Sequence, residues 1–142
     1  MMTDASKAPA ATILLIEDDS LVANVTAEML EEYGYRVQRA DTIDTALEIL
    51  TSRDIRLVLC DIGLPGSVDG LSLARHLREW KPAIPILLMT GHQAKAAQAG
   101  GEFLVLQKPF GFDSLVRLVA FMLEKGAESV DQHLSSTQEQ SR

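Results

Sequence analysis

Ile13-Leu14-Leu15-Ile16-Glu17-Asp18-Asp19 is a run of four apolar residues that passes directly into three carboxylates. An apolar run of strand length with no polar alternate reads as a strand covered on both faces, as in a parallel sheet packed between two helix layers. Its carboxyl end must then surface at a rim, where acids can stay charged. Leu57-Val58-Leu59-Cys60 ending on Asp61 repeats the pattern, residues 84–89 end on Thr90, and residues 103–106 have Lys108 two positions beyond. Tyr35-Arg36-Val37-Gln38-Arg39 alternates instead, which places the second strand at a sheet edge and the first and third inside.

Between these runs the apolar residues recur with a helical period. Val22, Val25 and Met29 mark the first helix, Ile43, Leu47 and Leu50 the second, Leu73, Leu77 and Trp80 the third, and Leu115, Leu118 and Met122 the last. Gly34, Pro82 and Gly126 supply stop signals. Right-handed crossovers then give an α/β fold with a doubly wound five-stranded parallel sheet in the order 2-1-3-4-5. Between Thr90 and Phe103, loops of about 2 to 6 residues leave roughly 4 to 8 for the fourth helix. Gly91, Gly100 and Gly101 weaken its ends, so that helix is expected to be short.

The chain has 142 residues, 46% hydrophobic and 23% charged, which suits one globular domain. That domain is expected over 12–126, between mobile polar tails at 1–11 and 127–142. Cys60 has no second cysteine to pair with, no run approaches the ~20 apolar residues of a membrane span, and no signal-peptide core is present. A cytoplasmic protein with no membrane insertion is the expectation. Thirteen basic against twenty acidic residues give a net charge of −7 with no Lys/Arg stripe, which disfavours direct nucleic-acid binding. His76, His92 and His133 are too scattered for a metal site, although His92 lies two residues after Thr90.

All the unusual polar groups therefore gather at one rim. Carboxylates 4 Å apart repel by about 4 kcal/mol per pair at an effective dielectric of 20, so Asp61 and the acids of 17–19 need a compensating cation. Oxygen ligands without His or Cys suit Mg²⁺. Two of the three acids suffice for a metal and the third suits a helix cap; spacing does not choose between Asp18 and Asp19. With the Thr90 hydroxyl and the Lys108 ammonium, the rim holds the parts needed to move a phosphoryl group onto an aspartate.

These residues make the chain resemble the receiver domain of two-component response regulators, which has a flavodoxin-like fold. The matching motifs are Ile16-Glu17-Asp18-Asp19, Cys60-Asp61-Ile62-Gly63-Leu64-Pro65-Gly66 followed by Asp69-Gly70, Met89-Thr90-Gly91, and Gln107-Lys108-Pro109-Phe110. The resemblance implies that Asp61 is the phosphoacceptor, that Glu17, Asp18, Asp61 and the Gly63 carbonyl hold Mg²⁺, and that Thr90 and Lys108 bind the phosphoryl group. Asp19 is then the cap. It also implies a sensor histidine kinase or phosphotransfer protein as donor, a downstream protein as target, and a signalling phosphoacceptor rather than an enzyme acting on external substrates.

Three departures touch the output. The loop from Asp61 to Gly70 is longer by one residue, through Gly66-Ser67-Val68; the stretch from Thr90 to Lys108 is about a helical turn short; and Val105 stands where the family often has a switch Tyr or Phe. In this the chain is similar to stand-alone receivers without the aromatic switch and to receivers attached to hybrid histidine kinases. Gly100-Gly101-Glu102-Phe103 matches a diguanylate-cyclase signature only by accident, since too little chain surrounds it. A haloacid-dehalogenase-like phosphatase would carry its nucleophile after the first strand and a second Asp two residues on, where this chain has Gly63. A degenerate receiver serving only for docking would not need Glu17, Asp18, Asp61, Thr90 and Lys108 together.

Overall fold

The alternation of apolar runs and helical periods is realised strand by strand in the computed structural model, which describes the backbone of residues 11–66 and 68–140 and the side chains of 11–126 except 67. In chain order the elements are β1 (Thr12–Ile16), α1 (Ser20–Glu32), β2 (Arg36–Ala40), α2 (Ile43–Ser52), β3 (Leu57–Asp61), α3 (Gly70–Trp80), β4 (Ile86–Thr90), α4 (Gln93–Ala99), β5 (Leu104–Gln107) and α5 (Phe112–Gln140). The strands pair in parallel in the order β2-β1-β3-β4-β5. Among the described residues no helix is long and apolar enough to cross a membrane. The expected tail at 1–11 lies outside the described residues except for residue 11.

Period-two side-chain alternation divides the core into two layers. Leu14, Ile16, Val58, Cys60 and Leu88 face Ala46, Leu50, Leu73, Leu77 and Phe103. Ile13, Leu15, Leu57, Leu59, Leu87 and Met89 face Ala27, Leu30, Leu115, Val119 and Met122. The three inner strands are apolar throughout because each must supply both layers. β2 is exposed or half-exposed from Arg36 to Arg39 and buried only at Ala40, as befits an edge strand.

Three details differ from the sequence expectation. On α1, Met29 is buried, but Ala23, Ala27 and Leu30 face the sheet, and Val25 is 44% exposed. Hydropathy ranks Val above Ala, whereas close approach of a helix to a sheet selects the small side chain. Trp80, the last residue of α3, is half-exposed, with the Lys81 ammonium 5.0 Å above its ring. The third difference concerns α5, which is broken at Gly126, where φ is +83°. Beyond the break, residues 127–140, expected as a polar tail, have a helical backbone. The side chain of His133 lies outside the described residues.

The short fourth helix is as expected: α4 has seven residues. The turn after it is fastened to α3. Arg75 Nε donates to Glu102 Oε2 at 3.0 Å, Arg78 Nη2 donates to the Glu102 carbonyl at 2.7 Å, and the Arg78 guanidinium lies 4.0 Å over the Phe103 ring. Glu102, part of the accidental Gly-Gly-Glu-Phe match, thus has a structural task.

The turn that follows the carboxyl end of β3 depends on Gly70. Its N–H donates to the Ile62 carbonyl at 2.8 Å, and a Cβ on Gly70 would stand 2.8 Å from the Ile62 Cα and 2.9 Å from the Asp61 carbonyl carbon. All of these are backbone atoms, which leaves nothing to yield. Gly70→Ala is expected to lower the unfolding free energy by about 2 kcal/mol or more in urea titrations. Gly111→Ala, whose Cβ would meet nothing within 4 Å, is the control and should stay within about 0.5 kcal/mol of wild type.

Candidate functional site

Four strand ends meet at the carboxyl rim of the sheet. Glu17 continues β1 by a backbone hydrogen bond to Ala40, Asp61 closes β3, Thr90 closes β4, and Lys108 follows β5 with its N–H on the Thr90 carbonyl at 2.8 Å. The parallel register sets Asp61 beside Met89, next to Thr90, and Thr90 beside Gln107, next to Lys108. The Lys108–Pro109 peptide is cis.

Lys108 is the centre of the cluster. Its ammonium lies 2.5 Å from Glu17 Oε1 and 3.5 Å from Asp61 Oδ2. The Glu17 side chain is only 1% exposed, Asp61 13% and Lys108 22%, so these charges face each other with little water between them. Glu17, Asp18 and Asp61 offer carboxylate oxygens within 4.8 Å of one another. Asp61 Oδ1 also accepts the Gly63 N–H at 3.2 Å.

Asp18 and Asp19, which spacing could not separate, are separated by geometry. Asp19 Oδ1 accepts the N–H groups of Leu21 and Val22 at 3.0 and 3.2 Å and so caps α1. Asp18 makes no such bond and joins the acidic cluster. Thr90 is buried, and its hydroxyl oxygen accepts the His92 N–H at 3.1 Å, which leaves the hydroxyl proton to donate elsewhere. His92 is exposed at the start of α4 and forms no side-chain cap bond; His76 is exposed against Trp80. Cys60 is fully buried, and burial together with the neighbouring Asp61 charge pushes its thiol far up, so it is inert.

Burial raises the Glu17 pKa above the usual carboxylate range, against the lowering effect of Lys108 and with the help of Asp61. Burial alone would lower Lys108, but its hydrogen bond to Glu17 and the Asp61 and Glu17 charges more than offset this, so its pKa is raised. One ammonium against three carboxylates leaves two negative charges uncompensated. An oxygen donor set of that charge fits a divalent cation such as Mg²⁺.

One residue near this site carries no signal in its own sequence neighbourhood. Lys95, on α4, directs its ammonium to a point 3.9 Å from where a Cβ on Gly63 would stand. Two facts in combination would have pointed to it, a short fourth helix and a glycine two residues after Asp61, and neither names Lys95 by itself. Beside Lys108, exposed Leu21 and Val25 form an apolar groove with Pro109 and Phe110.

A doubly wound sheet with an acidic pair, an aspartate, a threonine and a lysine on its strand ends points to the class of signalling receiver modules. The model of the response regulator receiver domain matches residues 13–120, and the chain belongs to that family. It is 33% identical over 117 residues to the nitrogen assimilation regulatory protein NtrX of Azorhizobium caulinodans, covering 79% of this chain and 26% of that protein. The chain thus spans about a quarter of the length of the curated relatives it matches. Among solved structures it resembles the receiver domain of NtrX from Brucella abortus, with a TM-score of 0.73, 31% identity, and coverage of 79% of this chain and 98% of that one. It also resembles the response regulator TrrA of Thermotoga maritima in complex with Mg²⁺ and BeF, with a TM-score of 0.73, 28% identity, and coverage of 79% and 98%.

The raised Glu17 pKa fixes a pH dependence. With divalent cations chelated, the folded state holds the Glu17 proton more tightly than the unfolded chain does. Stability from this group is therefore full below the unfolded Glu value of about 4.3 and is lost as pH rises through the raised folded value. Urea unfolding from pH 4.5 to 7.5 should show that decline in wild type and a flatter profile in Glu17→Gln. Lys108 stays charged over the whole range. At pH 7 without metal, Asp61→Asn should be as stable as wild type or up to about 1 kcal/mol more stable, because one member of a repelling set is removed.

Proposed function

We propose that the chain receives a phosphoryl group on Asp61 from the phosphohistidine of a sensor histidine kinase or phosphotransfer protein, in a Mg²⁺-dependent reaction. The observation that carries this reading is the Lys108 ammonium held between Glu17 and Asp61. It provides a fixed cation beside a carboxylate that has one oxygen tied by the Gly63 N–H and the other facing the ammonium. Asp61 attacks phosphorus, a P–O bond forms, and the P–N bond to the donor imidazole breaks with its electron pair left on nitrogen. Lys108 and the Thr90 hydroxyl then hold the transferred oxygens. Glu17, Asp18, Asp61 and the Gly63 carbonyl would hold Mg²⁺, which supplies charge neutralisation for carboxylate and phosphoryl oxygens.

The reading is supported by the T. maritima relative, whose structure is described with Mg²⁺ and BeF. The chain then acts as a signalling phosphoacceptor, not as an enzyme with an external product, and transmits its state by changed contacts with a downstream protein. A cytoplasmic setting agrees with the free thiol of Cys60. One relative, of which the match covers 23%, is named a DNA-binding transcriptional regulator. For the residues of this chain, the net charge of −7 opposes direct contact with nucleic acid.

Readout is proposed to pass through residues 91–101. Val105 is a small, partly buried side chain packed against the core and has no ring to rotate. Added charge of about −1.5 to −2 on Asp61 would instead draw in and order the short α4 segment.

Acetyl phosphate with Mg²⁺ should add one phosphoryl mass to the intact protein, and none when the metal is chelated or in Asp61→Asn. A mass gain in Asp61→Asn would place the acceptor elsewhere. Amide hydrogen exchange with beryllofluoride and Mg²⁺ should show increased protection over residues 93–99. Strong protection before activation that does not change afterwards would reject the ordering of α4.

A further inference from the structure

The Asp61 mouth has a second cation close by. Gly63 has no side chain, and two charged groups border the space it leaves: the Lys95 ammonium is 3.9 Å from the point where a Cβ on residue 63 would stand, and Asp61 Oδ1 is 4.0 Å from the same point. Lys95 is the third residue of α4, and its position is unusual for that helix. Residues 92–94 are exposed, while Lys95 is half-buried although its side chain is the longest of the four. Among the described residues its ammonium has no ion-pair partner, whereas Lys108, Arg75 and Arg78 are each engaged. Lys95 is thus a half-buried lysine near Asp61 that forms no ion pair within 4.0 Å, and its ammonium is free to engage an anion placed on that carboxylate.

We propose that Lys95 reaches across Gly63 to pair with the oxygens of a phosphoryl group on Asp61, and that this contact slows the loss of the phosphoryl group to water. The inference rests on the phosphoacceptor reading given above and assigns a determinant of the phosphate's lifetime within the same site. Hydrolysis needs a water oxygen to attack phosphorus opposite the Asp61 oxygen. The P–O bond to Asp61 then breaks with its electron pair returning to the carboxylate, and both water protons leave on dihydrogen phosphate. An ammonium drawn onto the phosphoryl oxygens beside Gly63 hinders the approach of such a water. Lys108 is paired with Glu17, while Lys95 comes from the seven-residue α4, so the same contact fastens that helix to the phosphoryl group.

The test is the rate at which the phosphorylated protein loses its phosphate after rapid removal of acetyl phosphate, followed by intact mass. Lys95→Ala and Lys95→Gln should accept phosphate and lose it about 3- to 10-fold faster than wild type, the effect expected for removal of one partly screened charge. Lys95→Arg keeps the charge and should stay within about twofold of wild type. Salt should shorten the wild-type lifetime towards that of Lys95→Ala and leave Lys95→Ala nearly unchanged, a response that a purely structural role would not give. If wild type gains phosphate and Lys95→Ala loses it at the same rate or more slowly, Lys95 has no such role. If wild type gains no phosphate at all, the phosphoacceptor reading itself fails, and the two failures are told apart in one experiment.

Discussion

The contact between Lys108 and Glu17 joins residues 91 positions apart and turns a set of strand ends into a site. Three carboxylates at the rim would repel one another strongly in a half-buried setting, and Glu17 is almost wholly removed from water. The ammonium of Lys108 makes that burial tolerable without completing the neutralisation. The strand ends leave the cluster short of positive charge, an oxygen donor set that fits a divalent cation. The fold supplies the geometry, since a doubly wound parallel sheet carries all its carboxyl ends to one rim.

Around this centre close backbone contacts fix the strand ends. Asp61 is followed by a turn whose carbonyls and Cα atoms press on Gly70, so β3 and the start of α3 cannot shift independently. On the opposite side, β4 and β5 are tied by the Lys108 N–H to the Thr90 carbonyl. Between these two rigid parts runs α4, only seven residues long, with a turn held to α3 by Arg75 and Arg78 through Glu102. This short helix is tied to α3 through the turn at its far end and to Thr90 through the His92 N–H at its near end. It has few buried contacts of its own, with Ala99 its one buried residue.

Much of this was legible in the chain itself. Unbroken apolar runs in 13–16 and 57–60 specified two-sided burial, the alternation in 35–39 specified an edge, and together they determined the strand order. The same reading put Glu17, Asp18, Asp61, Thr90 and Lys108 at one rim, because each stands at or just beyond the carboxyl end of a buried run. The shortness of α4 followed from counting residues between two strands. These are local or topological properties, and period and spacing carry them.

Tertiary structure decided what depends on distance between segments remote in sequence. The buried face of α1 consists of Ala23, Ala27 and Leu30 because a helix lying close to a sheet has room for methyl groups, and a hydropathy period gives more weight to Val25. Asp18 joined the cluster and Asp19 became a cap because only three-dimensional placement shows which carboxylate meets Asp61 and which meets the first turn of α1. Lys95 has no motif around it. Its place near Asp61 is the joint product of a glycine thirty-two positions earlier and a short helix that brings its third residue over that gap. Such a coincidence of a missing side chain with a long one cannot be read from a linear pattern, because it exists only in the space between a loop and a helix remote from it in sequence.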